Sequence, residues 1–193
     1  MKFYYFAKGV VKSILGPLYR IEVQGTEHFP KDGGVLLCSN HINNLDPPVV
    51  GIRCPRPVAF MAKEELFRAP LLKQILPRVH AFPVKRGMSD REALRTGMKI
   101  LKENNVLGLF PEGTRSKTGK LGKGLAGAGF FALRTDADVI PCAIIGSYKP
   151  FRKLKVVFGP PVDLEALKAE KANAEAVTAV TMAEIQKLLD EHQ

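Results

Sequence analysis

Cysteine is scarce in this 193-residue chain, and the three present, Cys38, Cys54 and Cys142, form no C-x-x-C pair. An odd number at such separations argues against a disulfide framework and a zinc site, and fits a reducing compartment. Long hydrophobic runs are missing as well. Nowhere do about 18 apolar residues follow one another, so no membrane-spanning helix is expected. Acidic residues are outnumbered, 19 against 29 basic ones, which leaves a net charge of +10. That balance favours polyanionic partners: an anionic bilayer surface, nucleic acid or a phosphorylated small molecule. Aromatics make up only 8% of the chain and are not interleaved with the basic residues. With no zinc-finger, RRM or KH signature either, nucleic acid is not the expected partner. No grouping of ligand residues calls for a metal, and no cofactor is expected.

What is present describes an ordinary globular protein. Apolar residues at 46% and charged residues at 25% suit a single domain of this length, with enough chain to bury a core. Short β-branched or apolar runs alternate with amphipathic stretches. Strands are predicted near 20–23, 35–38, 58–61, 79–82, 106–110, 139–145 and 154–158. Helices are predicted near 47–52, 69–76, 90–103 and 123–134, with a last helix ending near Leu189. Such alternation implies an α/β fold with a mostly parallel central sheet flanked by helices. The division expected is an N-terminal amphipathic helix over 1–19, a core over 20–160 and a helical tail over 161–193, solvated from Leu164 to Val177.

The first nineteen residues resemble a secretory signal only at the start. Lys8 and Lys12 interrupt the apolar run, and no small-x-small cleavage site follows. On a helical wheel Phe3, Phe6, Ala7, Val10, Ile14 and Leu18 share a face that Tyr4, Val11 and Leu15 widen, with Lys2, Lys8 and Lys12 opposite. This pattern suits a helix lying in the membrane interface, and equally one docked on its own core. The two can coexist.

Chemistry concentrates in two segments. In Asn40-His41-Ile42-Asn43-Asn44-Leu45-Asp46 an imidazole follows an apolar strand, where ligands gather in open α/β folds. A carboxylate five residues on can fold back to orient it as a base. The same Asp46, standing before Pro47, also fits a helix N-cap, and both readings stay open at this point. In Phe110-Pro111-Glu112-Gly113-Thr114-Arg115 a buried strand meets a proline that cannot continue a ladder, so the chain turns. Gly113 supplies the permissive backbone, and Glu112 and Arg115 project from the turn. Arg115 suits forked phosphate recognition, while a local Glu112 to Arg115 ion pair is the competing use. The glycines that follow do not make a P-loop: five residues separate Gly113 from Gly119-Lys120 where four are needed, and Leu121 replaces the magnesium-binding Ser/Thr. Gly124, Ala126, Gly127, Ala128 and Gly129 are expected instead to thin a helix face for close packing on the sheet. Cys38 reads as a small buried hydrophobe rather than a nucleophile.

Taken in order, these segments resemble the glycerolipid acyltransferase family, and within it the bacterial 1-acyl-sn-glycerol-3-phosphate acyltransferases. His41 and Asp46 match the family's H-x-x-x-x-D block. Phe82 to Gly87 match a second block containing an arginine, here Arg86. Phe110 to Arg115 match the third, and Val139 to Ala143 the fourth, with Pro141 in an apolar strand. Ala62 to Phe67 resemble a lysine-bearing segment near the substrate phosphate. The likeness runs from about Gly25 to Gly159. It departs at Asn43, where many members have serine, and at Pro83, where a bulkier apolar residue is usual.

The resemblance implies His41 and Asp46 as the catalytic pair, with Lys63, Arg86, Glu112, Gly113, Thr114 and Arg115 binding substrate. Lys85-Arg86 can also be read as solvated loop charge. The implied reaction moves an acyl group from a coenzyme A or acyl carrier protein thioester to lysophosphatidic acid, giving phosphatidic acid. A sister acyltransferase acting on glycerol 3-phosphate or another lysolipid is the alternative, and a non-enzymatic basic binding module a third. An anionic membrane surface is the expected partner, with the protein peripheral on its cytoplasmic face.

Overall fold

The computed structural model describes residues 2–85 and 90–192. Its strands are β1 (Ile21–Gln24), β2 (Val35–Ser39), β3 (Val58–Lys63), β4 (Phe82–Val84), β5 (Val106–Leu109), β6 (Asp138–Gly146) and β7 (Leu154–Phe158). Its α-helices are α1 (Lys2–Tyr19), α2 (Asp46–Arg53), α3 (Pro70–Arg78), α4 (Arg91–Lys102), α5 (Gly127–Arg134), α6 (Glu165–Ala169) and α7 (Ala174–His192). The strands form one sheet in the order β1-β7-β6-β2-β5-β3-β4. Every neighbouring pair is parallel except β6 with β7.

Parallel strands are covered on both faces, so their residues read as continuous apolar runs that feed two cores. Along β2, Val35 and Leu37 join Val49 and Ile52 of α2 on one side, with α1 packed outside them. Leu36 and Cys38 join Phe131 of α5 and Ile185 of α7 on the other. The register pairs Cys38 with both Leu109 and Pro141, so β2, β5 and β6 finish close together. Pro141 accepts from the Gly159 N–H at 2.9 Å, one residue before pairing with β7 begins at Cys142. Its missing donor therefore faces a stretch with no strand ladder to break.

Three elements differ from expectation. The strand expected over 79–82 is shifted to Phe82–Val84, because α3 runs on to Arg78. The Val79 N–H closes that helix on the Ile75 carbonyl, and His80 takes a left-handed φ of 63° that cannot begin a strand. The helix expected over 123–134 starts only at Gly127, because Leu125 donates its N–H to the Pro111 carbonyl at 2.8 Å and so belongs to the site loop. The thin face of α5 meets α7, not the sheet: a Cβ on Gly129 would collide with the Ala174 carbonyl. Nor is the tail beyond Leu164 solvated throughout. Leu164 and Val177 are buried, and α7 continues the Val177, Thr181, Ile185, Leu188 stripe across the sheet.

The N-terminal helix divides its wide apolar face between two uses. Tyr4, Val11, Leu15 and Leu18 turn inward, and the Tyr4 hydroxyl accepts the Val58 N–H at 3.0 Å. Phe3, Phe6, Val10 and Ile14 remain exposed, Phe6 by 68% and Ile14 by 60%. Among the described residues no helix is long and apolar enough to cross a membrane.

Candidate active site

The chain leaves β2 at Ser39 and folds Asp46 back on the turn that precedes it. The Asp46 carboxylate has no solvent exposure and accepts four hydrogen bonds. Oδ2 takes the N–H groups of Ile42 and Asn43 at 2.6 and 2.7 Å and the His41 Nδ1–H at 2.7 Å. Oδ1 takes the Tyr148 hydroxyl at 2.6 Å. A buried carboxylate is tolerable only with such compensation. Although Asp46 is the first residue of α2, it makes no side-chain cap to that helix, whose opening turn carries Pro47 and Pro48 instead. The capping alternative therefore fails here: Asp46 ties the turn and the imidazole together. Asn43, at the position where many family members have serine, closes the same turn by accepting the Leu45 N–H at 3.0 Å.

With Nδ1 donating to Asp46, the neutral imidazole carries its lone pair on Nε2. His41 is 7% exposed, and its ring stacks on Phe110 at 4.1 Å between centroids, with Phe60 stacked behind Phe110. The main chain of His41 is gripped from both sides by the segment after β5. Its N–H donates to Glu112 Oε1 at 2.9 Å, and its carbonyl accepts the Ser116 N–H at 2.8 Å. The other Glu112 oxygen accepts the Gly122 N–H at 2.9 Å. Gly113 turns the loop with a φ of 66°. On the opposite flank Asn40 extends β2 with its side chain, exchanging two hydrogen bonds with the Ile144 backbone at 2.7 and 3.0 Å.

His41 lines one end of a cavity of about 580 Å³ that runs between β5, α4 and α5, walled by Leu94, Leu109, Ala128 and Phe130. The volume and apolar lining suit a hydrocarbon chain beside a base. Cys38 stays out of the chemistry, since full burial pushes its thiol up to about 12 and leaves it protonated.

Of the residues singled out from sequence, His41, Asp46 and Glu112 come together. Gly113 lines the same cavity. Thr114 and Arg115 are exposed on the loop beyond, and among the described residues Arg115 enters no ion pair, so the expected Glu112 to Arg115 alternative does not form. Lys63 ends β3 at the same rim of the sheet, half exposed and 3.1 Å from Glu65. Arg86 lies outside the described residues. Among the described residues no His, Cys, Asp or Glu grouping suits a metal ion.

Comparison with known proteins places this geometry. The model of the Acyltransferase family matches residues 20–145, more than half of the chain, including the loops that carry His41, Asp46 and Glu112. The chain belongs to the acyltransferase family. This acyltransferase is 30% identical over 191 residues to the 1-acyl-sn-glycerol-3-phosphate acyltransferase of Bacillus subtilis, a match covering 96% of this chain and 94% of that protein. It is 27% identical over 181 residues to the enzyme of the same name from Borreliella burgdorferi, covering 89% of this chain and 72% of that one. Its fold is similar to the crystal structure of the 1-acyl-sn-glycerophosphate acyltransferase PlsC of Thermotoga maritima. There the TM-score is 0.74 at 26% identity, over 97% of this chain and 78% of that chain.

Two polar residues of the acyltransferase site escaped the sequence reading. Tyr148 stands 102 positions from Asp46, and only the return of β6 to the side of β2 brings them together. Asn40 adjoins His41, and its use as a surrogate strand residue carries no spacing signal.

Proposed function

We propose that this acyltransferase moves a fatty acyl group from a thioester of coenzyme A or acyl carrier protein to the sn-2 hydroxyl of 1-acyl-glycerol 3-phosphate, giving phosphatidic acid for phospholipid synthesis. The observation that carries this reading is the His41 imidazole, oriented by a fully buried Asp46 and opening on an apolar cavity. His41 Nε2 takes the hydroxyl proton as the oxygen attacks the thioester carbonyl. Collapse of the tetrahedral adduct breaks the carbon–sulfur bond, and the leaving thiolate takes the proton from the imidazolium. No protein nucleophile is needed, which agrees with the protonated Cys38.

Lys63, Arg86 and Arg115 are the proposed phosphate ligands. A purified-enzyme assay with lysophosphatidate, glycerol 3-phosphate and other lysolipids, each with both donor types, tests the substrate assignment. Product appearing only from an acceptor other than lysophosphatidate overturns it. Arg115→Ala should raise the KM for lysophosphatidate roughly tenfold, the scale of one charge-assisted phosphate contact, with kcat little changed. An unchanged KM removes Arg115 from the phosphate site.

The acceptor and product are amphiphiles, and the exposed stripe of α1 offers a way to reach them. Phe3, Phe6, Val10 and Ile14 form its apolar side on a chain of net charge +10. We place this stripe in the interface of an anionic membrane, with the enzyme peripheral on the cytoplasmic side. Replacing Phe6, Val10 and Ile14 together with serine leaves the inward residues untouched. Co-sedimentation with anionic liposomes should weaken at least about tenfold, given about 25 cal/mol per Å² of apolar surface withdrawn from water. Unaltered binding rules out the stripe as the anchor.

A further inference from the structure

We propose that Tyr148 is a positioning residue for acyl transfer, fixing the Asp46 carboxylate in the orientation that presents Oδ2 to His41. The proposal rests on the reading of His41 and Asp46 as the proton-transfer pair. Three of the four hydrogen bonds to Asp46 converge on Oδ2, and all come from residues 41–43 of its own turn. They leave the carboxylate free to swing Oδ1 about them. Among the described residues only Tyr148 reaches in from another part of the fold, donating to Oδ1 at 2.6 Å. Without it Oδ1 is a buried anionic oxygen lacking any partner among the described residues, a costly state that invites reorientation or water entry.

The phenol is suited to stay a donor. Burial first, and the Asp46 charge second, push its ionisation well above the usual tyrosine range. Its position is set independently of the dyad. The ring meets Tyr19 edge-on at 5.4 Å between centroids, and the Phe151 N–H in the same β6–β7 connection donates to the Leu18 carbonyl at 2.6 Å. The end of α1 thus clamps the connection that carries Tyr148. Apart from His41, no ion-pair partner faces Asp46 among the described residues. The orientation of the carboxylate therefore depends on neutral donors, and Tyr148 is the one supplied at long range.

Tyr148→Phe removes the hydroxyl and keeps the ring on Tyr19. In steady-state acyl transfer from an acyl thioester to lysophosphatidate, kcat should fall about 10- to 100-fold, the scale of a lost hydrogen bond to a charged group, while KM stays within about twofold. Incorporating 3-fluorotyrosine at position 148, which keeps the donor, should retain kcat within a few-fold. A Tyr148→Phe protein with wild-type kcat, or one whose loss lies wholly in KM, overturns the proposal. Should Tyr148→Phe not fold, the fluorotyrosine protein decides the matter by fluorine NMR. Its resonance must shift when Asp46 is replaced by asparagine, and an unmoved resonance overturns the proposal. His41→Ala assayed alongside separates the two failures: full activity there sinks the proton-transfer reading itself, whereas an inert His41→Ala with an unaffected Tyr148→Phe sinks only the role of Tyr148.

Discussion

His41→Ala and Asp46→Asn are each expected to lower kcat by roughly 10²–10⁴-fold, the usual contribution of a positioned general base and its partner, while the protein remains folded. The two variants fail for different reasons. Alanine removes the base itself and leaves Phe110 without the ring it stacks on at 4.1 Å. Asparagine is nearly the same size as aspartate, and its amide oxygen can take the place of Oδ2, accepting from Ile42, Asn43 and His41. Its NH₂ then faces the Tyr148 oxygen, which can accept as well as donate. The turn survives, and what disappears is the negative charge that stabilises an imidazolium. Asp46→Asn therefore isolates electrostatics from architecture, and circular dichroism together with kcat on the purified variants checks both parts. Activity within a few-fold of wild type in His41→Ala would mean that the imidazole is not the base, and in Asp46→Asn that the base works without the carboxylate charge.

The sequence foreshadowed the parts of this site that are local. His41 and Asp46 are five residues apart on one turn, so their meeting depends on nothing distant, and the strand-ending character of 35–38 and 106–110 placed both loops at one rim. The mostly parallel sheet was legible from the alternation of short apolar runs with amphipathic stretches along the chain. Nothing local distinguishes Tyr148 from a surface tyrosine; its partner is chosen by the order of strands in the sheet. The helix expected from 123 shows the converse failure. Lys123, Leu125 and Ala126 are good helix formers, yet Leu125 and Gly122 spend their N–H groups on Pro111 and Glu112. Tertiary hydrogen bonds outbid local propensity there, because they build the loop that holds His41. In α1 the hydrophobic pattern was wide enough for two surfaces, and only packing could say which residues face the core and which face outward.

Glu112 separates most clearly what motif position suggests from what geometry demands. Its place beside Arg115 suggests substrate binding, but each of its carboxylate oxygens is already engaged by a backbone N–H, one from His41 and one from Gly122. Glu112 is 8% exposed, so neither bond is readily replaced by water. Glu112→Gln makes the distinction measurable. A glutamine presents one oxygen and one NH₂, so whichever way it turns, a donor confronts either the His41 N–H or the Gly122 N–H. Loss of one charge-assisted bond and the unsatisfied donor pair should cost about 2–4 kcal/mol of stability. Displacement of the His41 backbone should lower kcat on the order of 100-fold, as expected when a reacting group moves by about 1 Å. A Glu112 that acts through the His41 backbone leaves the KM for lysophosphatidate near its wild-type value, whereas a glutamate that binds the acceptor raises it. Urea unfolding and steady-state kinetics on the same preparation give both numbers, and a raised KM at unchanged kcat and stability would return Glu112 to the substrate.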